Sequence, residues 1–494
     1  MHLHLSLLAA LGFLAMSHAG AAAAAAAEGR LSPAAVALAE YLRIDTTNPP
    51  GNELAGAEFL AGRLRAAGIE PRLLVSPRGR ANLLARLPAT GASAATSDGA
   101  IVLLHHIDTV PAGAPWSHPA RGGEVHDGAL WGRGAIDAKG LGIAHLEAFL
   151  DLARSPLPRR RPVVFLAVAD EEAGGGDGVA WLLAAHPELF ENVAAVLNEG
   201  GVNKAVAGRA LFWGIEVDQK RPLWLEVGAV GRPGHASAAN PESATHRLVA
   251  GLARLAAAPR PRRVTPAASA FLTALARFDP QARGALDRLR ELAARPPAGA
   301  ANGAASGANH EADVRASEAP FPLPGFESLL TDTLQITTLA GSERINVAAG
   351  EARAGIDVRL LPDADEKAFV ADLERLLGPA LTVSVLLTSP AARPSPASGK
   401  VYRALAEALA GDGKTPVVPA FIPAFTDSRF FRARGIAAYG VSPFALDGLE
   451  LRTVHAPDER LPLAVLERGV ATMIRVVRAL AAIESSEPAE PATP

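Results

Sequence analysis

The chain has 494 residues, of which 49% are hydrophobic and only 5% aromatic, so a large core must rest mainly on aliphatic side chains. Its 48 Lys and Arg nearly balance its 51 Asp and Glu, and the net charge of -3 gives no long-range attraction to nucleic acid or to an anionic membrane. Cysteine is absent, which excludes disulfides, thiolate metal sites and a cysteine nucleophile; any metal must be bound by His, Asp or Glu.

Residues 1–27 are predicted to be an export signal. Leu5 to Met16 is an apolar segment of signal-peptide length, and the small-residue pattern Ser17-His18-Ala19 suits cleavage after it. His2 and His4 stand where Lys or Arg is usual, so a poorly folded terminal segment is the alternative. A membrane span needs about 20 apolar residues, and the chain contains no such run. We therefore expect a periplasmic or secreted protein with no membrane partner.

The first half of the chain alternates between helical and strand patterns. Apolar residues recur at helical spacing from Leu31 to Tyr41 and from Leu54 to Ala67. Short apolar runs then follow, rich in Val and Leu as strands buried on both faces of a parallel sheet are, with helical stretches between them. The runs are Ile101–Leu104, Val163–Val168 and Val193–Leu197, and the helices lie near Leu141–Leu152 and Val179–Ala185. This alternation predicts an α/β catalytic domain with a mixed, largely parallel sheet covered by helices.

Possible ligands follow each of these strands at its carboxyl end. His106 follows the first run, Glu171 and Glu172 the second, and Glu199 the third. Open α/β sheets bind their ligands at the carboxyl ends of the strands. We therefore expect these side chains to meet at one edge of the sheet.

From about Pro222 the pattern changes to strict alternation. Leu223, Leu225 and Val227 share one face of a strand, and so do Ala354, Ile356 and Val358 further along the chain. This predicts a half-exposed antiparallel sheet in a smaller α+β domain that interrupts the catalytic one.

The predicted boundaries follow from these changes of pattern. The catalytic domain comprises residues 28–221 and 361–483, and the smaller domain comprises residues 222–360. Residues 295–320 are rich in Pro, Gly, Ala and Ser and form a surface excursion that contributes little core. Strand and helix patterns resume at Ala437–Val441 and Leu463–Ala482, and residues 484–494 are expected to be a disordered tail.

His106 and Asp108 are two residues apart just past a strand, so both side chains leave the chain on one face. Asp108 is placed to accept the second ring N–H of His106, which would fix the imidazole tautomer. An ordinary surface His-Asp pair is the alternative.

The remaining acidic residues divide into two kinds. Asp137 lies in the glycine-rich turn GRGAIDAKG before a helix, where it could bind metal or could cap the helix. Glu171 and Glu172 are adjacent and repel each other unless a cation is present, so we assign Glu172 as a metal ligand and Glu171 as a general base. A solvated acidic loop is the alternative for this pair. With His106 and Glu199, these residues supply imidazole and carboxylate donors of the kind that hydrolysis by metal-activated water requires.

Eight motifs in order resemble the zinc aminoacylase, glutamate carboxypeptidase and carboxypeptidase S family of dinuclear metallohydrolases, from about Leu31 to Ala482. They are HHIDTVP, GRGAIDAKG, ADEEAGG, NEGG, GRPGHAS, ERINVAAGEARAGIDVRLLP, FTDSRFF and HAPDE. TDSRFF and the helical segment within the smaller domain resemble the carboxypeptidase S branch. Ala138, Ala348 and Ala349 depart from the family pattern.

The resemblance implies a role for each matching residue. His106 and Glu199 would hold one zinc, Glu172 and His455 the other, and Asp137 would bridge the two, with cobalt or manganese as possible replacements. The smaller domain would be a lid that forms a homodimer, and His235 would reach across the dimer to the developing oxyanion. Asn346 and Arg359 would contact the substrate, although Arg359 could instead pair with Asp357 on the same strand face. Asp427 matches a position near the active site without an assigned role.

Together these features predict zinc-dependent hydrolysis of an amide next to a free carboxylate. The substrate would be a small peptide or an N-acyl amino acid. A deacylase or amidase of another small acylated metabolite is one alternative, and an inactive binding protein on the same fold is another.

Overall fold

The structure is a computed structural model, and it describes residues 31–90, 99–113, 115–206, 208–294, 326–411 and 413–483. The predicted signal segment 1–27, the excursion 295–320 and the tail 484–494 lie outside these residues. The helices are α1 (Pro33–Arg43), α2 (Glu53–Ala66), α3 (Lys139–Arg154), α4 (Val179–Ala185), α5 (Ala244–Ala257), α6 (Pro266–Leu275), α7 (Pro280–Ala294), α8 (Glu366–Leu377), α9 (Gly399–Ala410), α10 (Ser428–Arg432), α11 (Gly448–Leu451) and α12 (Leu463–Ala482). Among these residues, no helix combines the length and the apolar character that a membrane span requires.

The strands form two main sheets and two small ones. They are β1 (Arg72–Val75), β2 (Ala81–Leu87), β3 (Ala100–His106), β4 (Glu124–His126), β5 (Ala129–Trp131), β6 (Val163–Val168), β7 (Val193–Asn198), β8 (Lys204–Val206), β9 (Arg209–Gln219), β10 (Arg221–Val230), β11 (Gly234–His235), β12 (Thr333–Ala340), β13 (Val347–Ala348), β14 (Glu351–Leu360), β15 (Leu381–Leu387), β16 (Val417–Ile422), β17 (Ala438–Gly440) and β18 (Arg460–Pro462).

The large sheet has the order β1-β2-β6-β3-β7-β17-β9-β16, and β8 pairs with β9. Strands β6, β3, β7 and β17 are parallel, whereas β1 and β2 add an antiparallel edge. The prediction of a mixed, largely parallel sheet is therefore confirmed. Alternate residues of β3 enter different cores, with Leu103 facing α1, α2, α3 and α12 and Leu104 facing α4. Helices thus cover both faces, and for this reason β3, β6 and β7 read as continuous apolar runs.

The smaller sheet has the order β12-β14-β10-β15 and is antiparallel throughout. The alternating residues of β10 and β14 are buried on one face, where they pack against α5 and α8. The alternation of apolar residues therefore predicted the correct face of this sheet.

The predicted boundary between the smaller domain and the second part of the catalytic domain, at residue 361, is wrong, because the smaller domain continues beyond it. Strand β15 pairs with β10 from Trp224 to Ala229, so the smaller sheet continues to Leu387. Helix α8 packs on this sheet as well. In β15, Leu381, Val383 and Val385 alternate with Thr382 and Ser384, and Leu381 and Val383 pack against the core of the smaller sheet. The boundary was wrong because alternation in one strand does not show which sheet that strand joins.

Helices α6 and α7 form a hairpin that leaves the smaller domain. Phe271, Leu272 and Leu275 of α6 pack against Val418 and Phe421 of β16, the edge strand of the large sheet. The same cluster contains Phe212 of β9, so the hairpin packs on one face of the large sheet at β9 and β16.

Candidate metal centre

Six acidic or imidazole side chains from separate segments converge at the carboxyl end of the large sheet. His106 ends β3, and Glu199 directly follows β7. Glu171 and Glu172 form a short helical turn after β6. These three strands are parallel neighbours, so their carboxyl ends meet, as we expected from the sequence. Asp137 reaches the cluster from the turn before α3, and His455 from the loop before β18.

Asp137 lies between the two imidazoles. Its Oδ1 is 3.0 Å from Nε2 of His106, and its Oδ2 is 3.1 Å from Nε2 of His455. Each imidazole also faces a second carboxylate: Glu199 Oε2 lies 3.4 Å from His106 Nε2, and Glu172 Oε1 lies 3.3 Å from His455 Nε2. The arrangement is therefore two imidazole-carboxylate pairs that share one aspartate.

These separations suit two tetrahedral cations. Zinc bonds of about 2.0–2.2 Å in tetrahedral geometry place neighbouring ligand atoms roughly 3.3–3.6 Å apart. The observed N–O separations of 3.0 to 3.4 Å are close to this spacing. The donor set contains only imidazole and carboxylate, and it accords with a divalent cation on each side of Asp137.

The electrostatics of the cluster also favour cations. Burial and the neighbouring charge of Asp137 raise the pKa of Glu199 to about 8, while its contact with His106 opposes this change. Burial and the carboxylates of Glu199 and Asp427 likewise raise the pKa of Glu171 well above its ordinary value. Hydrogen bonds to Asp137 and Glu172 raise the pKa of His455 to about 11. Carboxylates held this closely repel one another, and bound cations would relieve that repulsion.

The alternative that Asp137 caps a helix is not observed. The capping position of α3 is occupied by Ala138, and no side chain accepts a hydrogen bond there. The carboxylate of Asp137 instead points at the two imidazoles. The position of Asp137 thus serves the cluster, not the helix.

The contact between Asp108 and His106 involves the main chain of Asp108, whereas the prediction assigned it to the carboxylate. Nδ1 of His106 is 2.9 Å from the backbone carbonyl oxygen of Asp108, whereas the Asp108 carboxylate lies 3.6 Å away. The carboxylate accepts hydrogen bonds from the backbone amides of Glu171 and Glu172, at 3.2 and 3.1 Å, and from Asn48 Nδ2 at 2.8 Å. Asp108 therefore orients the imidazole through its main chain and the acidic pair through its side chain.

Glu171 is buried beside the guanidinium of Arg429, a residue that the sequence did not identify as part of the site. Nη1 of Arg429 lies 3.8 Å from Glu171 Oε1, and this guanidinium also donates to the carbonyl oxygens of Thr426 and Gly174. Asp427 is buried nearby, and burial raises its pKa to about 7. Both residues belong to FTDSRFF, so the motif indicated this segment without indicating which contact matters.

The predicted substrate residues lie outside the cluster. His235 and Asn346 are exposed on neighbouring segments of the ribbon formed by β11 and β13, and Nδ1 of His235 accepts from the amide of Ser237. Arg359 forms a paired ion contact with Asp357 at 2.7 Å for each bond, as the alternative predicted. Its guanidinium also stacks on Phe425, 4.2 Å from the ring centre, and the same ring stacks on Arg429. Arg359 is thus connected to Glu171 through Phe425 and Arg429.

The sequence profile of the peptidase family M20/M25/M40 matches residues 102–479. Aminoacylase-1 from Pongo abelii is 27% identical over 454 residues, which cover 90% of this chain and 94% of the relative. A probable carboxypeptidase S-like 2 from Dictyostelium discoideum is 26% identical over 381 residues, which cover 74% of this chain and 68% of that protein.

Solved structures of low sequence identity share the fold. An M20 family metallo-carboxypeptidase, Sso-CP2 from Sulfolobus solfataricus, superposes with a TM-score of 0.65 at 16% identity, covering 92% of this chain and all (100%) of that one. Human carnosine dipeptidase 1 superposes with a TM-score of 0.63 at 16% identity, covering 91% of this chain and 97% of that one.

Proposed function

The chain belongs to the peptidase family M20/M25/M40, and from this premise we propose that it uses two zinc ions to hydrolyse an amide next to a free carboxylate. The substrate is an N-acyl amino acid or a small peptide cleaved at its last bond. The observation that carries this proposal is Asp137, whose two oxygens each face a different imidazole. That arrangement suits a pair of cations, one on each side of the carboxylate.

Each cation has its own ligands in this proposal. His106 and Glu199 hold one, Glu172 and His455 hold the other, and Asp137 is shared. When bound, such cations lower the pKa of a water ligand to about 7 and polarise the substrate carbonyl. Zinc is the metal we propose because the donors are imidazole and carboxylate, and cobalt or manganese can use the same donors.

Glu171 moves the proton. Its carboxylate accepts a proton from the attacking water and delivers it to the nitrogen that leaves with the amino acid. Nη1 of Arg429 lies 3.8 Å from one oxygen of this carboxylate, and the Asp108 carboxylate accepts from the backbone amide of Glu171 in the turn that carries it. Glu171 lies close enough to His106 and Glu199 to offer a ligand atom as well, whereas Glu172 lies 3.3 Å from Nε2 of His455, and this contact supports Glu172 as the ligand.

Arg359 supplies the specificity for a free carboxylate. A guanidinium recognises a carboxylate through paired hydrogen bonds, and Arg359 is joined to the catalytic side through Phe425. Asn346 is the second proposed substrate contact. The carboxylate of the substrate would share the guanidinium with Asp357, which already occupies two of its donors.

A panel of substrates tests this specificity. Each N-acyl amino acid and dipeptide is assayed beside the matching compound with an amidated carboxyl group. Because the amide carries no charge, we expect kcat/KM to fall by at least about 10-fold, the loss that follows from one charge-assisted hydrogen bond of 1.5–3 kcal/mol. Equal turnover of the two versions would contradict the proposal, and hydrolysis confined to acyl compounds lacking an amino-acid carboxylate would favour a deacylase of another metabolite.

We also propose a homodimer formed through the smaller domain, in which His235 of one subunit serves the site of the other. Exposure of His235, and its lack of contact with the metal-ligand cluster within the described residues, support this arrangement.

We further propose that residues 1–27 are removed when the protein is exported. The N-terminal sequence of the secreted protein tests this cleavage.

Mixed dimers test the role of His235. Glu171→Gln and His235→Ala are each expected to inactivate the homodimer, because each symmetric site then lacks one group. After the two variants exchange subunits, half of the dimers are mixed and each contains one complete site, so activity should recover to about a quarter of the wild-type value. Sedimentation of each variant confirms that the dimer persists. No recovery in mixtures shown to contain mixed dimers would place His235 in its own subunit's site or outside any site.

A further inference from the structure

The turn that carries Asp137 and the loop that carries His455 are joined by one buried carboxylate. Glu459, four residues after His455, is fully buried. Its Oε1 accepts from the backbone amides of Ile136 at 2.8 Å and Asp137 at 3.1 Å. Its Oε2 accepts from Nη1 of Arg133 at 2.7 Å and from the amide of Gly134 at 3.2 Å. One side chain from the His455 loop thus holds the main chain of the Asp137 turn.

Other contacts tie the same two segments together. Nη2 of Arg133 donates to the carbonyl oxygen of Ala456 at 3.1 Å, and the amide of Gly132 donates to the carbonyl oxygen of Glu459 at 2.9 Å. Strand β18, which begins directly after Glu459, pairs with β5, which ends directly before Gly132. The glycine-rich turn and the HAPDE loop are therefore one connected unit.

The chemistry of this contact requires a carboxylate. All the groups that face Glu459 in these bonds are donors, and an ionised carboxylate has only acceptor sites. A glutamine would place its NH₂ group against either two backbone amides or a guanidinium and an amide. Such a contact is repulsive, so the turn or the loop must move.

We infer that Glu459 is a positioning residue that sets the separation between Asp137 and His455 at which a cation fits. This inference rests on the proposed two-metal site. Groups that orient metal ligands without touching the metal commonly account for about 10- to 100-fold in metal affinity. Glu459 acts on two ligands at once, because it bonds to the amide of one and belongs to the loop of the other.

The test compares Glu459→Gln with Asp458→Asn in the full chain. Asp458 is the neighbouring acid, and its carboxylate accepts from the amide and hydroxyl of Ser117, away from the Asp137 turn. Both variants lose one negative charge from the same loop. Zinc affinity and stoichiometry are measured by competition with a chromophoric chelator, and unfolding of the metal-free proteins is followed in parallel. Temperatures are kept well below the unfolding midpoint, so that only folded protein is titrated.

We expect Glu459→Gln to lower the affinity for the zinc ion held by Glu172 and His455 by about 10- to 100-fold. Asp458→Asn should leave the affinities for both ions unchanged. A Glu459→Gln protein that unfolds more easily yet binds both ions with wild-type affinity would overturn the inference, because Glu459 would then be only structural. Equal weakening in both variants would overturn it as well, since charge alone would explain the loss. If the wild-type protein binds no zinc, it is the proposed two-metal site that fails.

Discussion

Glu171→Gln is expected to bind two metal ions per subunit and to turn over substrate roughly 10²- to 10⁴-fold more slowly than the wild type. The amide has nearly the shape of the carboxylate, so the buried turn after β6 should keep its form. It cannot accept the proton of the attacking water, and the step that needs a base is lost. The measurements are kcat with an N-acyl amino acid and the metal content of the purified protein.

Glu172→Gln is the matched comparison, because it changes the adjacent residue in the same way. Glu172 lies 3.3 Å from the imidazole of His455, so this variant should lose affinity for one cation. If instead Glu171→Gln loses a cation and Glu172→Gln keeps both, the two roles are exchanged. Wild-type turnover by Glu171→Gln would show that Glu171 is not the general base.

Asp137→Asn should cost roughly 10³-fold or more in kcat/KM, because the Lewis-acid contribution of a cation amounts to several kcal/mol. The two imidazoles face different oxygens of Asp137, and asparagine offers only one neutral oxygen. We therefore expect the variant to hold at most one cation tightly. Metal stoichiometry after dialysis and the rate at added zinc concentrations together measure this loss.

Asp127→Asn is the control for Asp137→Asn. Asp127 is exposed in the turn between β4 and β5, and its replacement removes the same charge from a site away from the cluster. It should retain both ions and wild-type turnover. Retention of two tightly bound ions by Asp137→Asn would show that this residue does not bridge, and the geometry of the cluster would then need another explanation.

The sequence predicts most reliably what continuous patterns determine. Strands β3, β6 and β7 are buried on both faces, so their apolar runs identified them, and the ligands at their carboxyl ends followed from the parallel topology. The bounds Val163–Val168 and Leu463–Ala482 match the structure at both ends. His455 lies in an irregular loop between α11 and β18, and only its motif indicated that it joins the cluster.

Contacts between distant segments were not predictable in this way. Arg429 is 258 residues from Glu171 in sequence, and Glu459 is 322 residues from Asp137, as their numbers show. No periodicity relates such pairs, because they depend on where loops meet after folding. Strand β15 was misplaced for a related reason: its residues alternate as in a half-buried strand, but only its pairing with β10 shows which sheet it joins. The α6–α7 hairpin was assigned to the smaller domain because its contacts with β16 are equally distant.

The position of Asp108 has a consequence for mutagenesis. One residue bonds to the ring of His106, to the amides of both glutamates and to Asn48. Its replacement would displace the ligand His106, the base Glu171 and the end of β3 together, so the resulting defect could not be attributed to any one of them. The effects of an Asp108 substitution on turnover should be markedly non-additive with those of substitutions at Glu171 or Glu172. A change at this single position would therefore alter metal binding and proton transfer at the same time.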